Sequence, residues 1–453
     1  MYFQFVRSIF LLSLFLFSFC SLKTYNPSDP TTREYIEHKW LQSFFITVDN
    51  QPASTESQST LVPVMANSLV SGGNHVCVLL TNAKVRCWGR NNFGQLGLGN
   101  VNSIGDNEFP STVVDVDVGG DVQQIAAGEE HTCVLLTNGK VRCWGKGSNG
   151  QLGYGNLNSI GDDETPASAG DVPLPMTATQ VTVGSNFSCA LLINSTVRCW
   201  GGNSSGELGS GIAGTVNNAS LSNVVNTGGV AVASLSSGWY GSCVVLVNSN
   251  VYCWGSNNFG QLGYANTTDV GATNTPFSVG TVSFGLSISK ISIGLYHACV
   301  IGTLQQLQCW GYGADGRLGY PGSLVNVGDD ETPAGLTDLV LGGNVRQVSI
   351  THHTCALLVD DTLRCWGLGT NGKLGYGNVI QIGDDETPAS AGAVPVGFSV
   401  KEVSLGYGHS CALAATGRVR CWGANGYGQL GYGHTTDIGT SAGQMPPLDV
   451  SYR

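Results

Sequence analysis

Fourteen of the chain's fifteen cysteines form seven pairs with nine residues between partners: Cys77/Cys87, Cys133/Cys143, Cys189/Cys199, Cys243/Cys253, Cys299/Cys309, Cys355/Cys365 and Cys411/Cys421. Paired thiols either ligate a metal or close a disulfide. Structural zinc takes ligands about two to four residues apart within each pair, so a nine-residue gap argues against metal. The alternative is tested by the hairpin around the second pair, where His131–Leu136 and Lys140–Gly145 flank Thr137-Asn138-Gly139. With a type I turn and Gly139 in the left-handed position, Leu136 faces Lys140, and counting back puts Cys133 opposite Cys143. That is a non-hydrogen-bonded rung, where an antiparallel ladder brings Cα atoms closest. One disulfide inside each hairpin follows. Glycine holds this turn position only at Gly139 and Gly417, so the loop is expected to vary among units.

Other reactive side chains recur in register with the cysteines. Histidine stands two residues before the first cysteine at His75, His131, His297, His353 and His409, with Phe187 and Gly241 in the remaining units and His352 as an adjacent extra. Replacement by Phe or Gly points to packing or hydrogen bonding rather than acid-base work. Arg86, Arg142, Arg198, Arg364 and Arg420 precede the second cysteine and share a strand face with the tryptophan two residues on, which predicts guanidinium-on-indole stacking. Gly-Asp-Asp-Glu-Thr-Pro occurs three times, carrying Asp162, Asp163 and Glu164; Asp329, Asp330 and Glu331; Asp384, Asp385 and Glu386, with Asp106-Asn107-Glu108 as a weaker copy. Without an alternating Asp-x-Asp-x-Asp-Gly order, a solvated acidic rim is expected ahead of calcium ligation. No Ser/His/Asp nucleophile signature, phosphate-cradling loop or Gly-x-Ser-x-Gly elbow stands out. The expectation is no catalytic residue, no cofactor and no metal.

The elements that must position these residues follow from the repeat. Successive first cysteines lie 56, 56, 54, 56, 56 and 56 residues apart, and Trp88, Trp144, Trp200, Trp254, Trp310, Trp366 and Trp422 directly follow the second cysteines. In the second unit, Val113–Val118, Val122–Ala126, His131–Leu136 and Lys140–Gly145 read as four short strands. Seven such units bury both sheet faces when set radially, so the predicted fold is all-β: a seven-bladed β-propeller of four-stranded antiparallel blades. The ring needs a seam. Either Pro446–Tyr452 completes the first blade, or residues 61–64 do.

The chain's start differs in composition. Arg7, the apolar run Ile9–Phe19 and the small-x-small Ser18-Phe19-Cys20 read as a signal peptide over 1–20, with an uncleaved anchor as the rival. Cleavage would leave an even fourteen cysteines, consistent with an oxidising compartment and a secreted or extracellular protein without a stable membrane anchor. Residues 21–58 read as a leader. Tyr35, Ile36, Trp40, Phe44 and Phe45 form one helical stripe there, and the polar run from Gln51 to Thr60 is a linker. The propeller is expected over 59–453. Five glycosylation sequons stand at Asn186, Asn194, Asn203, Asn218 and Asn266. Charged residues are only 11% and the net charge is −11, which argues against nucleic acid as a partner.

The run His-Thr-Cys-Val-Leu-Leu-Thr-Asn-Gly-Lys-Val-Arg-Cys-Trp-Gly at 131–145, followed by Gly150-Gln151-Leu152-Gly153 and Gly155, resembles the regulator of chromosome condensation repeat. The resemblance covers about residues 59–453 and implies seven blades; the paired cysteines look like an extracellular branch. Family members include exchange factors for a small GTPase, chromatin-associated proteins, ubiquitin-ligase modules and secreted enzyme inhibitors. The reading favoured here is a secreted or cell-surface module that binds a protein or glycan through rim loops. Alternatives are a guanine nucleotide exchange factor-like regulator and a secreted enzyme inhibitor.

Overall fold

The computed structural model describes residues 64–322 and 325–453. The signal and leader readings, 1–20 and 21–58, lie outside them. The first blade comprises β1 (Ala66–Ser71), β2 (His75–Leu80) and β3 (Val85–Gly89). The same trio recurs in six further sheets, from Val122–Ala127, His131–Leu136 and Val141–Gly145 to Val400–Leu405, His409–Ala414 and Val419–Gly423. Every middle strand is buried along its length, because it is covered on both faces by neighbouring blades and on both edges by its own sheet.

Each disulfide lies within its hairpin and joins the partners expected from spacing. The bonds are Cys77–Cys87, Cys133–Cys143, Cys189–Cys199, Cys243–Cys253, Cys299–Cys309, Cys355–Cys365 and Cys411–Cys421, with Cα separations of 4.0–4.1 Å. In the ladder Cys133 stands directly opposite Cys143, and Leu135 opposite Val141. The expectation of variable hairpin loops is overturned. All seven turns place the same position in the left-handed region, whether it holds Gly139 and Gly417 or Ala83, Ser195, Ser249, Gln305 and Asp361. The strain on non-glycine residues is offset by the preceding side chain in most units: Asn82, Asn138, Asn194, Asn248 and Asp360 each accept the N–H two residues on, at 3.0–3.2 Å.

The fourth strand is also corrected. The outer segment of each blade is not a ladder; in the first it touches β3 only at its ends, Ile104 with Gly89 and Val116 with Val85. Side chains explain the gap in five blades. Tyr154, Tyr264, Tyr320, Tyr376 and Tyr432 insert their hydroxyls where the middle rung would be, accepting the N–H of Cys143, Cys253, Cys309, Cys365 and Cys421 at 3.0–3.4 Å. Three of them also donate to the carbonyls of Cys143, Cys253 and Cys421, at 3.0–3.2 Å. In those blades the edge of the third strand is thus satisfied by a phenol instead of a strand. Cys87 and Cys199 lack this partner, because Leu98 and Ser210 stand where the other blades carry tyrosine.

The seam departs from both expected arrangements. Val450 donates to the Val419 carbonyl at 2.8 Å, the rung that Val116 and Val172 make to Val85 and Val141. The C-terminal segment therefore completes the seventh blade, and every blade is one continuous stretch of chain. Of residues 61–64 only Val64 is described, in coil. Closure combines side-chain and backbone bonds: the Tyr452 hydroxyl accepts from Ala66 N at 2.9 Å, Arg86 donates to the Tyr452 carbonyl at 2.6 Å, and Ser111 N donates to the Ser451 carbonyl at 2.9 Å.

Candidate interaction face

The fourteen paired cysteines are all buried and all bonded, so they belong to the scaffold and none presents a reactive thiol. The tryptophans that follow Cys87, Cys143, Cys199, Cys253, Cys309, Cys365 and Cys421 are fully buried too, and tie each blade to the one before. Trp144 Nε1 donates to the Gln95 carbonyl at 3.0 Å, Trp200 to Gln151 at 3.0 Å, and so around the ring to Trp88, which donates to Gln429 at 3.1 Å. The histidines join the same network. His75 Nε2 lies 2.9 Å from the Thr132 hydroxyl of the next blade, and that hydroxyl donates to Gln95 O at 3.0 Å. A hydroxyl that donates to a carbonyl must accept from the ring, so Nε2 carries the proton. His131 and His353 repeat this with Ser188 and Ser410. Burial lowers His75 to about 4 and His131 to about 3, so both are neutral in neutral solution. These are structural histidines. His409 alone faces an apolar neighbour, Val76, and both its ring nitrogens lack a partner.

Close packing at the loop joining inner and middle strands keeps this network compact. A Cβ at Gly128 would collide with the Gly184 carbonyl and the His131 ring. These seven loops, with the loops leaving the third strands, converge at one end of the blades; the disulfide hairpin turns stand at the other.

On the converging end the residue bearing the tryptophan's acceptor carbonyl reads Gln95, Gln151, Glu207, Gln261, Arg317, Lys373 and Gln429 in chain order. Four glutamines and Glu207 fold back to accept the N–H two residues earlier, at 2.8–2.9 Å. Arg317 and Lys373 have no acceptor to offer. Gly147-Ser-Asn-Gly-Gln-Leu-Gly153 and Gly369-Thr-Asn-Gly-Lys-Leu-Gly375 differ at two positions, yet Asn371 turns left-handed, with φ +60°, whereas Asn149 does not. Losing the glutamine cap releases the loop into the strained conformation.

Both cations are buried, Arg317 at 5% and Lys373 at 4% exposure. Arg317 pairs with Asp315 at 2.7 Å through Nη2, while Nε and Nη1 have no partner. Its guanidinium lies 5.0 Å from the Tyr312 ring centre and 5.9 Å from that of Tyr296. Lys373 Nζ bonds Thr370 Oγ1 at 3.1 Å, and burial, then Arg317, lowers it to about 8. From there rings touch in sequence across four blades. Phe259 meets Tyr312 and Tyr296, Tyr296 meets His352, and His352 meets Tyr407 at 4.1 Å. Trp239 of the fourth blade reaches Tyr407 of the seventh at 5.3 Å, over the mouth of a central channel of about 300 Å³. It is the one tryptophan among the described residues outside the repeat position.

The first two blades carry charge on the same end, differently arranged. Arg90 and Lys146 both reach Glu130, at 3.3 and 2.7 Å, and lie over the rings of Tyr427 and Phe93.

Of the residues singled out by pattern, the strand arginines are corrected. Three guanidinium groups turn to the outer segment instead of stacking on tryptophan, Arg86 pairing with Asp115, Arg142 with Asp171 and Arg420 with Asp449 at 2.6–2.9 Å, whereas Arg364 bonds its chain neighbours Thr362 and Leu363. The acidic triplets sit on the outer segments of the second, fifth and sixth blades, each with its own carboxylate oxygens within 4.8 Å of one another. Burial and the adjacent Asp163 push Glu164 up to about 7. Among the sequons, Asn194 is exposed on a hairpin turn, while Asn186, Asn218 and Asn266 are half-buried. Asn203 is buried, donating to Ile212 O at 2.7 Å and accepting from Leu208 N at 3.0 Å. A sugar on its amide would break that clamp, which Asn91, Asn257 and Asn425 form in other blades.

Pattern reading missed Trp239, Tyr296, Tyr312, Arg317, Lys373 and Tyr407. Aligning the seven units on Cys-Trp-Gly would have exposed the change from glutamine to arginine and lysine at 317 and 373.

Comparison with known proteins agrees with the fold. The RCC1-like domain matches residues 46–390, and a regulator of chromosome condensation (RCC1) repeat matches 400–429. The Arabidopsis thaliana ultraviolet-B receptor UVR8 is 28% identical over 81% of this chain and 79% of its own. The human probable E3 ubiquitin-protein ligase HERC6 is 30% identical over 63% of this chain but only 27% of the ligase. Yeast RCC1 (Prp20), solved bound to Kap60, superposes with a TM-score of 0.61 at 21% identity over 75% of this chain and 78% of that one, a likeness of fold.

Proposed function

The chain belongs to the RCC1-like family of propellers, and from that premise we propose that it is a secreted, disulfide-stapled binding module that receives a protein partner on the end where its inner loops converge. The observation that carries this is the ring cluster Phe259, Tyr312, Tyr296, His352, Tyr407 and Trp239. Aromatic groups outside the repeat's own packing, with Tyr407 48% exposed, have the composition of a binding hot spot. The opposite end carries the hairpin turns, where the exposed apolar side chains are aliphatic rather than aromatic: Ile193, Val247, Leu304 and Val359. Seven buried disulfides fit an oxidising compartment, where thiol-disulfide exchange with a reducing glutathione pool does not operate.

The test is photo-crosslinking of the full chain secreted into culture medium, with a benzophenone side chain replacing Tyr407 in one variant and Asn138 at a hairpin turn in another. A discrete adduct at 407 and none at 138 is expected. Equal labelling at both ends, or retention of the chain in the cytosol with free thiols, would overturn the reading. Exchange activity on a small GTPase would replace it.

A further inference from the structure

Within the face just proposed, and resting on that reading, we infer that the Arg317–Lys373 site binds an acidic peptide segment, taking a partner's glutamate or aspartate side chain beside the aromatic cluster. The argument begins with unmet hydrogen bonding. A buried guanidinium with two donor nitrogens unpaired is costly to keep, and only the third, Nη2, is paired with a carboxylate, that of Asp315. Lys373 adds a second buried cation whose single side-chain partner is a neutral hydroxyl. His352, between Tyr296 and Tyr407, adds a further unpartnered ring nitrogen, Nδ1.

The fold does not require these cations. Glutamine at the equivalent position in four other blades caps its loop and leaves the tryptophan's acceptor, a backbone carbonyl, unchanged. In the fifth and sixth blades that cap is absent and two adjacent left-handed residues, Asp315 and Asn371, accompany the substitution. Local stability is lost where positive charge is gained, which is how binding sites differ from scaffold.

Charge complementarity identifies the occupant. The cations need an anion, and the tyrosines and Trp239 beside them need apolar or planar groups. A peptide carrying acidic and apolar residues supplies both. An extended polyanion such as a sulfated glycan would find only two cations here, with no basic stripe to follow.

The full-length oxidised chain is titrated into a fluorescein-labelled hexapeptide, Glu-Leu-Glu-Glu-Leu-Glu, and into its counterpart with glutamine for every glutamate, with anisotropy as readout. The acidic peptide should bind about tenfold or more tighter than the neutral one. R317Q and K373Q should each weaken it about tenfold while unfolding at or above the wild-type temperature, since glutamine restores the loop cap. R90Q and K146Q should change it less than about twofold. Equal binding of the two peptides, equal loss in R90Q, or a heparin hexasaccharide that binds where the peptide does not would overturn the proposal. If the peptide fails while the crosslink at position 407 still forms, the acidic-ligand proposal falls and the interaction face stands. If both fail, the face itself is wrong.

Discussion

The rim of the first two blades and the rim of the fifth and sixth carry similar charges in opposite states of satisfaction. Arg90 and Lys146 share Glu130 and rest on Tyr427 and Phe93, so their charge is settled within the chain. Arg317 and Lys373 are more deeply buried; Arg317 has one carboxylate, Asp315, and keeps two unpaired nitrogens, and Lys373 bonds only a neutral hydroxyl. Both rims are built on the same repeat by the same loops. The two rims thus differ in counter-charge: the first supplies it from within the chain, and the second leaves donors unpaired, which is the feature the proposed binding site rests on.

The comparison can be broken by moving the carboxylate. Tyr296 occupies the position that Glu130 holds in the second blade, immediately before the histidine. Tyr296→Glu should therefore hand Arg317 an internal partner and remove acidic-peptide binding, about a hundredfold by anisotropy. The reverse exchange, Glu130→Gln, frees Arg90 and Lys146. Calorimetry should then find a second, weaker site on the first two blades, about tenfold above the wild-type background there.

Titration sharpens the contrast. Lys373 is lowered to about 8 by burial and by Arg317, with Asp315 opposing. Its ammonium is lost as pH rises from 7 to 9, so acidic-peptide affinity should fall about threefold to tenfold over that range. Stability should move the other way. The unfolded lysine keeps its proton up to about 10.5, so the unfolded state binds more protons between pH 8 and that value, and stability rises across the window. K373Q should flatten this rise and gain at most about 3 kcal/mol at pH 7, measured by denaturant unfolding.

The smallest effect belongs to a site on neither rim. Val76→Thr would give the orphaned His409 the hydroxyl that His75 has in Thr132, and should stabilise the chain by about 1 kcal/mol with unchanged peptide affinity.

Much of the scaffold was readable because it is periodic. The 56-residue beat and the hairpin count place each cysteine opposite its partner, and those rungs stand in the structure. What failed were features decided by single side chains acting across a gap. A tyrosine hydroxyl takes the place of a fourth-strand rung, Asx side chains hold left-handed turns without glycine, and aspartates on the outer segment draw arginines off the tryptophans. The candidate interaction face was hidden for the opposite reason. Arg317 and Lys373 carry no motif and matter only as departures from glutamine at one repeat position, while Trp239 and Tyr407 meet across the channel from non-adjacent blades.

Amide hydrogen exchange on the full oxidised chain, with and without saturating acidic peptide, compares the two rims in one experiment. Protection should rise in the loops spanning 312–318, 351–353 and 370–374, and stay unchanged in 90–95, 129–131 and 146–150. Protection centred on the first two blades, or spread evenly around the ring, would contradict the account.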